Sequence, residues 1–411
     1  MILRVFIVLL LGGAAAGAQS FSQRGFLETR GFFFPRTVPG DSSHAIGEAL
    51  LRYEAAYQAR PWMRLSGAFD ARTDTHRQTE REWSASWQDR NIQRPAFAVR
   101  RLEIILNRNG WNADLGKQLI RWGKTDILNP TDRFAPRDYL SVVDNDFLPV
   151  TAARVTYERS NQTFDAVYVP RFTPSRTPLF NQRWAGLPED LPPGLEINDA
   201  GARYPGGGQA GIRWSRSGSR IETSLCFYEG FNHLPLLDAQ IRSIAPPRID
   251  ALRYYPKLRL YGGDLVVPTP WFLVKSEAAY FSSPQNGLAD EYVLYVVQLE
   301  RLAGEWVFVG GYAGEAVTTR VSPADFAPDR GLTRAFLMRA GYTFDARRSV
   351  SVDAAIRQNG DGVWVRTEYS HLLDSHWRVT GGLTWIHGSP SDFLGRYRRN
   401  SHASLTLRYS F

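Results

Sequence analysis

Polar and apolar residues alternate with a period of two along most of this chain, and this alternation restricts its fold more than any other feature. In the segment 334–345, Phe336, Met338 and Tyr342 share one face, while Arg339 and Asp345 lie on the other. A period of two places successive side chains on opposite faces of a β-strand. The segment is therefore predicted to be a strand with one apolar and one charged face.

Segments of this kind recur along the chain, and the links between them alternate in length. Short links such as 60–61 and 160–161 are followed by long ones such as 125–148 and 173–208. Outer-membrane barrels have short periplasmic turns and long extracellular loops. We predict an all-β fold, a transmembrane antiparallel β-barrel of about 18 strands, with 16 strands as the alternative. The predicted strands are 26–35, 47–60, 61–72, 96–107, 111–124, 149–159, 162–172, 209–217, 219–231, 257–268, 270–282, 291–303, 305–317, 334–345, 348–358, 362–372, 376–387 and 402–411.

The two ends of the chain carry export and assembly features. Residues 1–18 read as a secretory signal peptide, with Arg4, an apolar run and small residues up to Ala18. The apolar run is too short for a membrane anchor, which needs about 20 residues. The last strand alternates up to Tyr409 and Phe411, which resembles the signal that the barrel-assembly machinery reads. An edge strand of a secreted sandwich is the alternative.

Composition supports one barrel over 19–411 rather than several soluble domains. The chain has 22% charged and 13% aromatic residues with a mean hydropathy of -0.31, because polar residues facing the lumen dilute the apolar ones facing lipid. No linker-like shift divides the chain, and closure is what removes unpaired strand edges in lipid.

The single cysteine, Cys226, excludes an intramolecular disulfide. The expected location is the bacterial outer membrane.

Five tryptophans lie at or near the start of predicted strands that follow short links. Amphipathic rings favour the headgroup level of a bilayer, so this row predicts a membrane girdle. Coincidence is the alternative, since tryptophan favours strands in general. The girdle candidates are Trp62, Trp111, Trp271, Trp306 and Trp377.

The charged faces of the strands are expected to line the lumen, because a barrel of about 18 strands is wide enough for an aqueous channel. Weak cross-strand pairs on a solvated wall are the alternative for any one residue. The lumen-wall candidates are Arg52, Glu54, Arg64, Asp70, Arg72, Arg339, Asp353, Arg357, Arg366, Glu368, Arg378 and Arg408.

The charge balance points to anions rather than nucleic acid. The formal net charge is +8, and removal of Arg4 with the signal peptide leaves +7 (8 minus 1). This modest excess suggests some anion preference or affinity for anionic headgroups. No basic run or aromatic-basic motif indicates nucleic-acid binding.

Enzymatic and metal-binding motifs are sparse. Neither a G-x-S-x-G elbow nor an H-E-x-x-H motif occurs, so we predict no enzyme, no cofactor and no metal. A hydrolase site at the outer rim, using His233 or His387, is the alternative. Asp126, Asp132 and Asp138 stand at six-residue intervals, which is not the spacing of a calcium-binding loop.

A longer stretch resembles a known family. The run from Gly116 to Asp138 reads GKQLIRWGKTDILNPTDRFAPRD and resembles a pattern of porin-like outer-membrane proteins close to the alginate-export type of barrel. The segments 168–178, 258–264 and 277–280 are similar to other stretches of such proteins, and together the pieces cover about a third of the chain. The resemblance implies a passive channel for small or carbohydrate-like solutes.

The long loop after Trp122 is the third in chain order, and in porins the third extracellular loop folds into the lumen. Two prolines stiffen it, and it mixes acids with arginines. We predict that its charges pair with wall arginines and line a constriction, with a loop packed on the outside as the alternative. The candidates are Asp126, Asp132, Arg133, Arg137, Asp138, Asp144 and Asp146.

The predicted function is passive diffusion of small polar or anionic solutes through a charged lumen. The alternatives are an export conduit for an acidic polysaccharide and an adhesive or structural barrel whose long loops bind partners. Expected partners are outer-membrane lipid and lipopolysaccharide, the barrel-assembly machinery, and small solutes or oligosaccharides. A homo-trimer is a further expectation.

Overall fold

The computed structural model describes residues 20–411 except 83–84, 127, 189–191, 193, 286, 322–325 and 359. The predicted signal peptide therefore lies outside the described residues. The strands of the barrel, numbered in chain order, are β1 Phe21–Phe33, β2 Ala45–Arg60, β3 Met63–Asp74, β4 Phe97–Arg108, β5 Trp111–Gln118, β6 Val150–Arg159, β7 Gln162–Val169, β8 Gln209–Ser217, β9 Glu222–Phe231, β10 Lys257–Pro268, β11 Leu273–Ser282, β12 Glu291–Ala303, β13 Trp306–Thr319, β14 Ala335–Asp345, β15 Arg348–Arg357, β16 Val363–Leu372, β17 Trp377–His387 and β18 His402–Ser410.

Each barrel strand pairs in antiparallel fashion with the strands next to it in sequence, and β1 pairs with β18 to close the ring. Beyond β18, the Phe411 amide donates to the Gly25 carbonyl at 3.0 Å, and the Gly25 amide donates back at 2.9 Å. The predicted closed antiparallel barrel of 18 strands is confirmed. Closure leaves no barrel strand with an unpaired edge, which is the condition for placing strands in lipid.

The two faces of the barrel differ as the alternation predicts. In β14, Phe336 is 50% exposed on the outside, whereas its neighbour Leu337 is 6% exposed on the inside. No helix in the described part of the chain is long and apolar enough to span a membrane. The short elements that are not barrel strands are the strands Ala85–Ser86, Arg137–Asp138, Asp146–Phe147, Glu196–Arg203, Leu236–Ile244 and Pro247–Tyr254, the 3-10 helices Arg183–Ala185 and Gly395–Asn400, and the α-helix α1 Pro328–Gly331.

Long loops leave the barrel at the end opposite the start of β1 and the end of β18. Four of them matter for the interior: L2 (75–96), L3 (119–149), L4 (170–208) and L7 (320–334). L4 and the loop at 232–256 together form a parallel and antiparallel three-stranded sheet outside the barrel wall.

Five predicted strand boundaries are wrong by three residues or more. β1 begins at Phe21 rather than at 26, β7 ends at Val169 rather than at 172, β9 begins at Glu222 rather than at 219, β11 begins at Leu273 rather than at 270, and β5 ends at Gln118 rather than at 124. The last error has a physical cause: beyond Gln118 the chain leaves the β-ladder, and the Trp122 and Gly123 amides donate to the Asp132 side chain of the same loop. Trp122 and Gly123 therefore belong to L3 and not to the end of the fifth strand.

Candidate functional site: the loop L3 inside the barrel

L3 lies against the inner wall of the barrel. Its residues Ile120, Trp122 and Phe134 are buried in one apolar cluster with wall residues of β6, β7 and β9 to β12. Six neighbouring strands can surround one loop only on the concave side of the sheet. At the start of the loop, Trp122 Nε1 donates to the Asp165 carboxylate of β7 at 3.0 Å.

The carboxylate of Glu277 on β11 holds the backbone of L3. Its Oε2 accepts from the Lys124 and Thr125 amides at 3.0 and 3.3 Å and from the Thr125 hydroxyl at 3.0 Å. Its Oε1 accepts from the amide and the hydroxyl of Thr131, both at 2.8 Å. Glu277 is 1% exposed, so its charge is compensated by these donors rather than by water.

Asp126 joins L3 to the next part of the wall. Its carboxylate accepts from Lys275 Nζ at 2.8 Å and from Gln298 Nε2 at 2.6 Å. Lys275 also pairs with Glu300 at 2.6 Å. Burial alone would raise the pKa of Asp126, but hydrogen bonding with Glu300, Lys275 and Gln298 lowers it below its ordinary value.

Asp132 binds other residues of L3 rather than the barrel wall. Its Oδ1 accepts from the amides of Trp122 and Gly123 at 2.5 and 2.7 Å, and its Oδ2 accepts from Arg121 Nε at 3.1 Å. These bonds tie the two ends of the first bend together. A side chain at position 123 would meet Asn129 Cβ at 2.7 Å, so this close approach requires glycine.

Asp138 lies in a buried network of ion pairs that joins L3 to L2 and L4. It pairs with Arg94 of L2 at 2.9 Å and with Arg176 of L4 at 3.1 Å. Arg176 continues to Asp89 at 2.9 Å, and Asp89 pairs with Lys117 of β5 at 2.7 Å. Burial alone would raise the pKa of Asp138, but the two arginines hold it well below the ordinary range.

Asp144 and Asp146 contact arginines of the barrel wall. Asp144 pairs with Arg30 of β1 at 2.5 Å and with Arg366 of β16 at 3.7 Å. Asp146 pairs with Arg100 of β4 at 3.7 Å. L3 thus contacts the wall on both sides of the barrel.

The expectation that all seven loop candidates pair with wall arginines is wrong for five of them. Asp126 pairs with a wall lysine, while Asp132 and Asp138 pair with arginines of loops. Arg133 lies 3.4 Å from Asp329 of L7, and Arg137 Nη1 donates to Asn145 at 2.8 Å. The loop therefore uses much of its charge to fix its own shape and to bind neighbouring loops.

Three cavities adjoin L3 inside the barrel. Cavity A, about 660 Å³, lies between L3 and strands β11 to β16. Cavity B, about 360 Å³, lies along β1 and β15 to β18. Cavity C, about 260 Å³, lies between L3 and strands β1 to β4. Each of the seven loop candidates borders at least one of these cavities.

Most wall candidates also border the cavities. The nine that do so are Arg52, Asp70, Arg72, Arg339, Asp353, Arg366, Glu368, Arg378 and Arg408. Glu54 instead pairs with Arg24 at 2.7 Å, and Arg357 pairs with Asp392 at 3.2 Å. Arg64 adjoins the short turn after β2 and borders none of the three cavities.

Sequence reasoning missed the residues that anchor L3, above all Glu277, Lys275 and Asp165. The only local signal at Glu277 is a carboxylate on the inward face of a strand, followed two residues later by the buried Ala279. That pattern does not distinguish an anchor from an ordinary wall residue.

The two histidines considered for a hydrolase occupy structural positions. His233 is buried, with Nδ1 2.5 Å from the Thr173 carbonyl oxygen and its ring stacked on Phe172 at 5.2 Å. Burial lowers the pKa of His233 to about 4, so the ring is neutral near pH 7. His387 ends β17 and stacks on Trp385 at 5.5 Å.

The five girdle candidates are exposed and lie at the short-turn end of the barrel, where β1 begins and β18 ends. Trp306 packs on Tyr342 with ring centroids 4.7 Å apart, and Trp377 packs on Tyr409 at 5.0 Å. Contact of these rings with lipid stays a prediction, as does the role of Tyr409 and Phe411 in assembly.

Several solved structures share this architecture at low sequence identity. A BenF-like porin from Pseudomonas fluorescens Pf-5 is 9% identical, with a TM-score of 0.56 over 96% of this chain and 98% of that chain. OccK3 (OpdO) of Pseudomonas aeruginosa is 12% identical, with a TM-score of 0.54 over 95% and 96%. OpdQ of Pseudomonas aeruginosa is 9% identical, with a TM-score of 0.52 over 96% and 99%.

No protein-family model and no curated protein matches this chain. At identities of 9% to 12% the structural likeness concerns the fold alone. The chain therefore has the fold of outer-membrane porins, a closed antiparallel barrel of 18 strands.

Proposed function

We propose that this chain is a channel of the bacterial outer membrane through which small polar or anionic solutes diffuse passively. The observation that carries the proposal is the position of L3. The loop is bound to the inner wall of a closed barrel, and it leaves charged cavities beside it rather than a filled interior. An apolar outer face and a polar interior are what a bilayer and a water-filled passage require.

The cavity volumes favour small solutes. Volumes of about 260, 360 and 660 Å³ are in the range of sites that hold single small molecules. A polysaccharide chain would need a wider continuous passage. Export of an acidic polysaccharide, together with the resemblance to alginate-export barrels, therefore stays a prediction without a structural observation in its favour.

The expected anion preference is modest and comes from cavity B. Four arginines and three carboxylates line this cavity. In cavities A and C the acidic side chains outnumber the basic ones by one, six to five and eight to seven, so the preference is local to cavity B. A wall with a small positive excess raises the local concentration of anions and lowers that of cations.

A liposome-swelling assay tests the proposal. Liposomes that contain the purified, folded protein should swell in small sugars, more slowly as solute size increases, and faster for a sugar acid than for an amino sugar of equal size. Liposomes with heat-denatured protein serve as the control. Folded protein that admits no solute of any size would refute the channel function.

The remaining expectations on partners stay predictions. Chemical cross-linking of the protein in native membranes would test the homo-trimer. Binding of lipopolysaccharide, dependence on the barrel-assembly machinery and an adhesive role of the outer loops each need their own experiment.

A further inference from the structure

Asp144 lies where the three cavities meet. Among the described residues, it alone borders cavities A, B and C together. Asp144 therefore belongs to the shared lining of each pair of these cavities.

The carboxylate of Asp144 is held between two guanidinium groups from separate parts of the wall. Its Oδ2 lies 2.5 Å from Arg30 Nη1, and its Oδ1 lies 3.7 Å from Arg366 Nη1. Arg30 belongs to β1 and Arg366 to β16, with β17 and β18 between them. About a third of each side chain remains exposed, so water reaches the pair.

Arg30 donates a hydrogen bond to this carboxylate, and Arg366 lies at ion-pair distance from it. Guanidinium groups bind carboxylates through directed, charge-assisted hydrogen bonds. Both arginines also have a second acidic neighbour: Glu28 lies 3.3 Å from Arg30, and Glu368 contacts Arg366. Arg378 borders cavity B together with Arg30 and Arg366, and it makes no ion pair within the described residues.

We infer that Arg30 and Arg366 form an anion-binding point on the solute path, that Asp144 is its tethered occupant, and that the charge of Asp144 sets how strongly the channel prefers anions. This inference rests on the proposed function. A mobile carboxylate or chloride ion must displace or share the place of Asp144. Such competition keeps binding weak enough for the solute to leave again, which conduction requires.

The anchoring of L3 does not depend on Asp144 alone. Glu277, Lys275 and the Asp138 network hold other parts of the loop. Removal of one charge at position 144 should therefore change selectivity while L3 stays in place. A role of Asp144 as a simple structural tie predicts the opposite, a loosened loop and a general increase in conductance.

The test compares Asp144→Asn with Asp146→Asn by measuring reversal potentials in a potassium chloride gradient across a planar bilayer. A unit charge about 6 Å from a passing ion in a water-like medium changes the local ion concentration about threefold. Because the anion gains and the cation loses by this factor, Asp144→Asn should raise the chloride-to-potassium permeability ratio about tenfold. Asp146→Asn is the matched control, because it removes the same charge from the same loop but borders cavity C alone among the three.

Two further variants keep the test decisive. Asp144→Glu restores the charge and should return the ratio to near the wild-type value, while Arg366→Gln should lower the ratio. Asp144→Ser replaces Asp144→Asn if the latter does not fold. Equal shifts in the two aspartate variants, or an equal rise in potassium and chloride permeability, would overturn the inference. A folded wild-type barrel without any conductance would refute the proposed function and this inference with it.

Discussion

Replacement of Glu277 by glutamine should release L3 from the wall. A glutamine keeps one acceptor oxygen and presents an amide group in place of the other. If the amide replaces Oε1, the buried Thr131 amide loses its acceptor, which lies 2.8 Å away. A buried donor without a partner costs about 1–3 kcal/mol, and the lost negative charge weakens the remaining bonds.

The free energy of L3 docking should therefore fall by about 2–4 kcal/mol in Glu277→Gln. Since about 1.4 kcal/mol corresponds to a factor of ten, the undocked population should rise between about thirtyfold and about a thousandfold. Hydrogen exchange reports this population directly, because amides of a loop exchange through its local opening.

The assay is hydrogen exchange of the segment 121–133 in the folded barrel, combined with single-channel recording. Exchange in this segment should accelerate by the factor above, and the current should show more transitions to larger openings. Glu222→Gln is the control, since among the described residues the Glu222 side chain accepts only from the Lys124 ammonium at 2.6 Å, and it is about a third exposed. Such an exposed pair contributes about 0–1 kcal/mol. Wild-type exchange rates in folded Glu277→Gln would refute the anchoring role.

Three further predictions follow from the loop network and the barrel seam. Asp138→Asn removes the carboxylate that Arg94 and Arg176 share, and although Arg176 keeps its pair with Asp89, the free energy of unfolding should fall by about 3–5 kcal/mol near pH 7. Because the pKa of Asp138 is lowered in the fold, the difference in unfolding free energy should persist down to about pH 4 and shrink only as the pH falls further. Thermal unfolding at several pH values measures this difference. Its loss already at pH 6 would contradict the prediction. Gly116→Ala should lower the melting temperature, because φ at this position is +130° and the new Cβ would lie 2.2 Å from a carbonyl oxygen of β4. An unchanged melting temperature would show that the backbone of β5 shifts to accommodate the methyl group. Removal of Phe411 takes away both of its hydrogen bonds with Gly25 and should reduce the yield of heat-modifiable, folded barrel in cells. An unchanged yield would argue against a role of Phe411 in assembly.

The strands could be predicted from the sequence because each lies between two different environments. Phe336 faces outward and is exposed, whereas the adjacent Leu337 faces inward and is buried. The same logic failed at the end of β5, where Ile120 and Trp122 continue the apolar pattern although they are buried against the inner wall as part of a loop. Periodicity reports which residues are buried, but it does not report whether a wall or a loop buries them.

The site could be predicted only in part. Charges and prolines within L3 are neighbours in sequence, so their concentration is visible without a structure. The partners of that loop are not: Glu277 is 146 residues from Thr131 in the chain, and Gln298 is 172 residues from Asp126. Nothing in a single sequence links such positions, and a carboxylate that binds amides looks the same as one that faces water.

The most direct test of the channel account is the single-channel conductance of the wild-type barrel compared with a variant that lacks residues 129–140. This deletion removes Thr131 and Asp138, through which L3 is bound to the wall and to its neighbouring loops. The account predicts discrete conductance steps for the wild type and clearly larger steps for the folded deletion variant. Equal steps in the two proteins, or no steps from the folded wild-type barrel, would contradict it.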